Sequence, residues 1–260
     1  MRIALALCGL IVTLAGMAAP LAADDFRIET KVYAGKDKVS HNTTLFEAGY
    51  VYDYLSDPER VAVFDQPHGR FIVLDPVRKV KSEVKTADVR VFAEAFREQA
   101  KNSSRAFMNF AAAPDFQVDF EQTNELTLTS DFVTYKLTTI PANTPEASQQ
   151  YREFSDWYAR FNAMSNPGAM PPFPRMAVNE ELAKRALVPT QVSLTIAAAT
   201  GAKAVSLRSE HHVAWRLLPR DHKKIAETGH QLATFKSVDF SKFEEPAITA
   251  KKVAKDRGND

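Results

Sequence analysis

The stretch RFIVLDPVRKVKSEV, Arg70 to Val84, changes character halfway along. Phe71, Ile72, Val73 and Leu74 are apolar on both faces of any strand they form. After Asp75-Pro76 the pattern alternates strictly, with Val80, Ser82 and Val84 on one face and Lys79, Lys81 and Glu83 on the other. A β-strand points successive side chains to opposite sides, so the first half needs cover on both faces and the second on only one. Val61 to Phe64 share the two-sided character and are the natural pairing partners of Phe71 to Leu74. Helices can cover one side. The other side needs either a filled second layer or a concavity that takes up a ligand.

The rest of the chain extends this pattern outward. Phe26, Ile28, Thr30 and Val32 alternate with Arg27, Glu29 and Lys31, the mark of a half-buried strand. The run TTLFEAGYVYDYL reads as one strand with Phe46, Ala48, Tyr50, Tyr52 and Tyr54 on one face. With Val61–Phe64 and the two halves of the opening stretch, this makes five strands in sequence, joined by short turns, an antiparallel meander. Helical spacing follows at 87–101, a short helix at 105–113, and strands near 116–120, 126–128 and 133–137. Thr144-Pro145-Glu146 supplies a cap, a proline at the first helical position and an acid in the first turn, opening a helix to about Met164. The loop 166–175 holds four prolines in ten residues and is expected to be irregular. A helix over 179–187, strands around 189–196 and 205–217, and a last helix from Asp221 to Phe235 complete the reading. The expectation is an α+β fold: a curved antiparallel sheet, or incomplete β-barrel, of about ten strands with helices packed on one side, because helices come in blocks between strand runs.

Composition bounds the function. The first residues, MRIALALCGLIVTLAGMAAPLAADD, carry one basic residue, an uncharged apolar stretch and then small residues. This reads as a signal peptide over 1–23 and places the protein in the periplasm or cell envelope. A single domain then spans 24–245, with a polar tail over 246–260. Cutting the leader removes Cys8, the one cysteine, so the remaining chain forms no internal disulfide and no thiolate metal site. It also removes Arg2, leaving 32 basic against 32 acidic residues from the 33 and 32 of the full chain. A balance near zero argues against a nucleic-acid partner. No membrane span is expected once the leader is gone.

No catalytic constellation emerges. Ser82-Glu83-Val84-Lys85 has the spacing of a serine–lysine nucleophile pair, but alternates within a strand, where Ser82 and Lys85 point to opposite faces. His211 and His212 are neighbours on a strand and cannot share a metal; His211, on the apolar side, reads as a hydrogen-bonded core residue. His222 and His230 have no carboxylate at ligand spacing. Asp53, Asp57, Asp65 and Asp75 recur at strand ends and read as turn residues. Asn42-Thr43-Thr44 and Asn102-Ser103-Ser104 fit a glycosylation acceptor, which matters only in a eukaryotic secretory route. Neither a cofactor nor a metal is expected.

The order of features resembles the LolA-like and LolB-like periplasmic lipoprotein carriers. RFIVLDPVRKVKSEV is similar to their strand, Asp-Pro turn, strand segment. The helices at 87–101 and 145–164 resemble the lid helices between strand blocks, and ALVPTQVSLTI with the strand after it resembles their late strands. The segment from NTTLFEAGYVYDYL to RKVKSEV also resembles exported proteins of planctomycete-type bacteria to which no activity is attached. The carrier resemblance implies an incomplete β-barrel whose concave side holds an acyl chain or a lipidated peptide. The residues expected to line such a cleft are Tyr50, Tyr52 and Tyr54 with Phe154, Trp157 and Tyr158, since a tyrosine pairs an apolar ring with a wet hydroxyl. Two other classes stay open: a structural or protein-interaction domain of the envelope, and an envelope hydrolase whose site carries no recognisable motif. The export reading predicts that intact-mass measurement of the exported protein shows loss of the chain up to Ala22 or Ala23. A full-length mass from a membrane fraction would instead indicate a retained anchor.

Overall fold

A computed structural model describes residues 25–121, 123–166, 168–197 and 204–245. The leader expected over 1–23 and the tail expected over 246–260 lie outside these residues. The first meander has six strands: β1 (Phe26–Ala34), β2 (Asp37–Glu47), β3 (Tyr50–Ser56), β4 (Glu59–Asp65), β5 (Arg70–Asp75) and β6 (Val80–Lys85). Two helices, α1 (Thr86–Lys101) and α2 (Ala106–Ala112), lead to β7 (Gln117–Phe120), β8 (Glu125–Thr129) and β9 (Val133–Pro141). Next come α3 (Pro145–Ser165), α4 (Phe173–Lys184), β10 (Leu187–Ile196) and β11 (Val205–Ala214). The chain closes with α5 (Pro219–Thr234), the short β12 (Lys236–Ser237) and a turn of helix over 240–245.

These strands form a single curled sheet in the order β12-β6-β5-β4-β3-β2-β1-β11-β10-β9-β8-β7. Antiparallel pairing of β1 with β11 over Arg27–Ala34 joins the two meanders. The end strands β12 and β7 do not pair with each other, so the barrel stays open. The fold is α+β, as the sequence predicts, with twelve strands rather than ten. One extra strand comes from the run read as continuous across Ala48. It breaks there into a two-residue hairpin, with Glu47 opposite Tyr50 and positive φ at both Ala48 (49°) and Gly49 (81°). Two positive φ values give a turn whose twist matches the flanking strands. Alanine in place of the usual Asn or Asp at the first position hides that signal. The other extra strand, β12, is two residues long and pairs in parallel with β6.

The two faces of β4 and β5 have separate covers. Phe64, Phe71 and Val73 point to the concave side, where Phe71 stacks on Phe161 of α3 with ring centroids 4.7 Å apart. Val61, Val63 and Leu74 point to the other side and pack, with Leu45 and Tyr54, against Leu217, Ile225, Leu232 and Phe235. Helices therefore lie on both sides of the sheet: α1, α3 and α4 inside, α5 outside. The expectation of helices on one side is corrected here, and the reason is the apolar alternate positions of β4 and β5, which would otherwise face water. Polar contacts fix α5 in place. The Leu218 N–H donates to Asp221 at 2.8 Å, Arg27 stands 3.7 Å from the same buried carboxylate, and Tyr54 and Thr228 share a hydroxyl hydrogen bond of 2.9 Å.

Proline sets two further boundaries. The helix expected from Asn179 begins earlier, at Phe173, so the last residues of the proline-rich stretch are helical. Pro174 sits in the first turn, where an absent N–H leaves no hydrogen bond unmade. Pro189 lies within β10, and the register shifts between Pro189 and Gln191, which accommodates a residue that cannot donate to the ladder.

Leu74 is fully buried under α5. Leu74→Ala is expected to lower stability by about 2–5 kcal/mol in urea denaturation, the usual cost of emptying a core site. Val77→Ala, in the exposed β5–β6 turn, should change it by less than about 0.5 kcal/mol.

Candidate functional site

Cross-strand register places a polar band on the floor of an otherwise apolar concave face. One row of neighbours runs Val73, Ala62, Asp53, Thr44, Ile28 and Val213 across β5, β4, β3, β2, β1 and β11. The next row runs Leu55, Asn42, Thr30 and His211. Asp53 lies in the middle of β3 and is buried. It is therefore no turn residue, which corrects the sequence reading. The surrounding tyrosines masked it, because their alternation drew attention to the opposite face of the same strand. Asp53 accepts from Asn42 Nδ2 at 2.5 Å, from Thr44 Oγ1 at 2.8 Å and from the Tyr158 hydroxyl. Burial pushes the Asp53 carboxyl above its ordinary range, and these donors act against that push. Burial and the facing Asp53 charge hold Tyr158 well above the usual phenol range, so it stays a neutral donor.

Tyr158 reaches the floor because α3 crosses over it. The start of α3 follows from its sequence: the Thr144 hydroxyl accepts from Ala147 N at 3.1 Å, Pro145 takes the first turn, and Glu146 complements the helix dipole. Tyr151, Phe154 and Phe161 of α3 are buried against the sheet. Phe154 meets Phe46 edge-on at 5.7 Å.

Among the described residues, space remains between α3 and the floor, and two sizeable cavities lie there. One, of about 460 Å³, is lined by apolar side chains of the sheet such as Val32, Tyr135, Val192, Leu194 and Leu207, by Phe154 and Ala159 of α3, and by Met170, Pro171, Pro172 and Arg175. The other, of about 250 Å³, lies between β3–β5 and the far end of α3 and has Asp53, Val73, Phe161 and Phe243 in its walls. Tyr158 and Asn162 line both and form the partition. At the edge of the larger cavity, His211 bonds Thr30 Oγ1 through Nδ1 at 3.0 Å and Ser209 Oγ through Nε2 at 2.8 Å. It is the hydrogen-bonded residue the sequence suggests. Burial, and secondarily the Arg175 charge, push its pKa down to about 3, so the ring is neutral and donates to one hydroxyl while accepting from the other.

The six residues expected to share a cleft fall into two groups, one on each side of the sheet. Tyr50, Tyr52 and Tyr54 lie on the α5 side of the sheet, while Phe154, Trp157 and Tyr158 belong to α3 on the concave side. Phe154 and Tyr158 line the larger cavity. Trp157 packs on the edge of the core with the Arg160 guanidinium 5.0 Å above its ring. The reason for the split is the Ala48-Gly49 turn: Phe46 lies on the concave face, and the hairpin hands Val51 and Asp53 to that face and the tyrosines to the other. Tyr50 and Tyr52 instead line an outer depression of about 540 Å³ with Asp65, His68, Arg70 and Glu83. There, burial alone would raise the Asp65 pKa, but hydrogen bonds from His68 (2.7 Å) and Arg70 (2.8 Å) outweigh it and hold the carboxyl below its usual range. Burial, with nearby negative charge, pushes Tyr52 up to about 12.

The hydroxyls of Thr44 and Tyr158 and the amide of Asn42 all donate to Asp53, so that carboxylate is engaged by three donors. Among the described residues no group of three His, Cys, Asp or Glu side chains is placed to hold a metal ion, and no helix is long and apolar enough to cross a membrane.

No family model matches the chain, and no curated protein matches it. Among solved structures it is similar to a LolA superfamily protein from Nitrosomonas europaea, with 9% identity and a TM-score of 0.27 over 76% of this chain and 89% of that one. A likeness of that size says nothing about a ligand.

The state of His211 has a thermodynamic consequence. Its folded pKa lies below the ordinary value of 6.5, so the stability tied to the neutral ring is complete above that pH and is lost as pH falls toward 3. Wild-type stability should fall relative to His211→Gln across this window, by at most about 1.4 kcal/mol per pH unit. Urea melts at a series of pH values measure it, and parallel curves would show that the ring protonates freely in the fold.

Proposed function

We propose that the protein is a non-enzymatic binding protein that holds an apolar chain, an acyl chain or the lipid of a lipidated peptide, in the concave cavity beneath α3. The observation that carries this reading is the cavity itself. Its volume of about 460 Å³ falls in the range of about 300–1,000 Å³ usual for ligand sites, and its walls are apolar apart from a few polar groups. The site residues in this reading are Phe154 and Tyr158 with Ala159, Leu194 and Leu207. Burying about ten methylenes gains on the order of 8 kcal/mol before ordering costs, which leaves a site in the micromolar to millimolar range. A cargo of this kind suits an exported envelope protein, the location expected from the leader.

The outer depression favours a second reading. Asp65 and His68 form a carboxylate–imidazole pair at 2.7 Å beside Tyr50 and Tyr52, the orienting half of a hydrolytic site. Among the described residues, no hydroxyl or thiol bonds His68 to complete it, so binding in the concave cavity stands first. The proline-rich segment fits the first reading as well, since Met170, Pro171 and Pro172 form part of the cavity wall.

Titration with a fluorescent fatty acid, beside native mass spectrometry of protein purified from its own envelope, tests the proposal. Ala159→Trp fills the cavity from α3 and should weaken binding at least about tenfold, the equivalent of about 1.4 kcal/mol. Tyr50→Ala, on the opposite face, should leave it unchanged. No co-purified lipid and no saturable titration in the wild type would overturn the reading.

A further inference from the structure

Arg175 is the feature of the concave cavity that apolar-chain binding leaves unused. It sits in the first turn of α4 and lines the larger cavity from the side of the proline-rich segment. Of its five N–H donors, one hydrogen bond is made among the described residues, from Nη2 to Tyr151 Oη at 2.9 Å. No carboxylate stands within salt-bridge distance of it among the described residues, whereas the other arginine of the same cavity, Arg208, is paired with Glu210 and lies over the Tyr33 ring. Asp156, which feels the Arg175 charge, is already engaged by Asn179 at 2.7 Å and by Arg152 at 3.8 Å. A half-buried guanidinium that lines an apolar cavity, with one hydrogen bond among the described residues, has donors left for an anion.

One neighbouring feature has the same sign. The α4 N-terminus has no side-chain cap and no acidic residue in its first turn, and Pro171 and Pro172 at that end line the cavity. The positive end of a helix dipole therefore adjoins the space that Arg175 faces. The nearby imidazole, His211, adds no charge of its own: it is bonded on both nitrogens and held neutral by burial and, secondarily, by the Arg175 charge. The carboxylate of the floor, Asp53, is no rival attraction for a cationic head, since three donors already satisfy it.

We propose that Arg175 binds the anionic head, a carboxylate or phosphate monoester, of an amphiphile whose apolar chain occupies the concave cavity. A guanidinium presents two parallel N–H donors that match the two oxygens of such a head. This rests on the apolar-chain reading above and adds the chemistry of the ligand's polar end.

The test is displacement of a neutral apolar dye from the full mature protein by dodecanoate, dodecyl phosphate, dodecanol and dodecyltrimethylammonium, with acetate and inorganic phosphate as chain-free anions. Dodecanoate or dodecyl phosphate should displace the dye at concentrations about tenfold to a hundredfold lower than dodecanol or the cationic amphiphile, the usual worth of hydrogen bonds to a charged group. The one that displaces better identifies the head, and displacement by the chain-free anions would show an anion site with no need of the cavity. In Arg175→Gln the advantage of the anionic heads should vanish while the dodecanol curve stays in place. Arg175→Lys, which keeps the charge but not the fork, should fall between. An unchanged melting temperature shows that the variants fold; if they do not, the head-group order in the wild type decides alone. Equal displacement by dodecanoate, dodecyl phosphate and dodecanol in the wild type overturns the head-group assignment and leaves chain binding standing. No displacement by any chain overturns both.

Discussion

The structure depends on the need to cover both faces of β4 and β5. Val61, Val63 and Leu74 are apolar on one side, Phe64, Phe71 and Val73 on the other, and neither set can face water without losing the burial that drives folding. That constraint requires α3 on the inside and α5 on the outside, and it explains why the chain returns after β11 to lay a last helix over the first meander. The short pairing of β12 with β6 then follows, because α5 ends beside that edge: Lys81 of β6 donates to the carbonyl of Leu232.

The two faces are filled differently. Under α5 the packing is closed by Leu45, Tyr54 and Leu74, and the polar groups at its margin bond each other. Under α3 the sheet is curled, and one helix cannot follow a concave floor along its whole length. Space is left on either side of Tyr158, which spans the gap to reach Asp53. The polar band of Asn42, Thr44, Asp53, Thr30 and His211 lies where four adjacent strands from both meanders meet, so its hydrogen bonds tie the two halves of the sheet together. Such a band costs stability if any member is left unpaired, and here each hydrogen-bonds a neighbour.

Much of this was legible in the residues, and the reasons are local. Alternation over Phe26–Val32 and Val80–Val84, the cap at Thr144 and the proline at 145 act within a few residues of chain, so strands, helix starts and the α+β class follow from them. Misreadings arose where a local signal was weak or had two meanings. Ala48-Gly49 turns the chain without Asn or Asp, and that one turn moved three tyrosines to the wrong side of the sheet. Asp53 reads as a turn residue by type, and only its place in the middle of β3 shows otherwise. Phe154 and Tyr158, taken from the stripe of α3, do line a cavity, because helical periodicity assigned their face correctly.

By itself, the sequence determined that the chain alternates into strands, that β4 and β5 must be covered twice, and that an aromatic helix would lie against the sheet. These follow from side-chain periodicity and the cost of exposing apolar surface. Only the tertiary structure decided which cover lies on which face, that open space remains beneath α3 while Leu45, Tyr54 and Leu74 are packed under α5, and that Asp53, Tyr158 and Arg175 border that space with His211 bonded to Ser209 beside it. The physical reason is distance along the chain. Thr30 and His211, or Asp53 and Tyr158, become neighbours only when β1 pairs with β11 and α3 crosses the floor, and no periodicity within either segment records the register at which they meet.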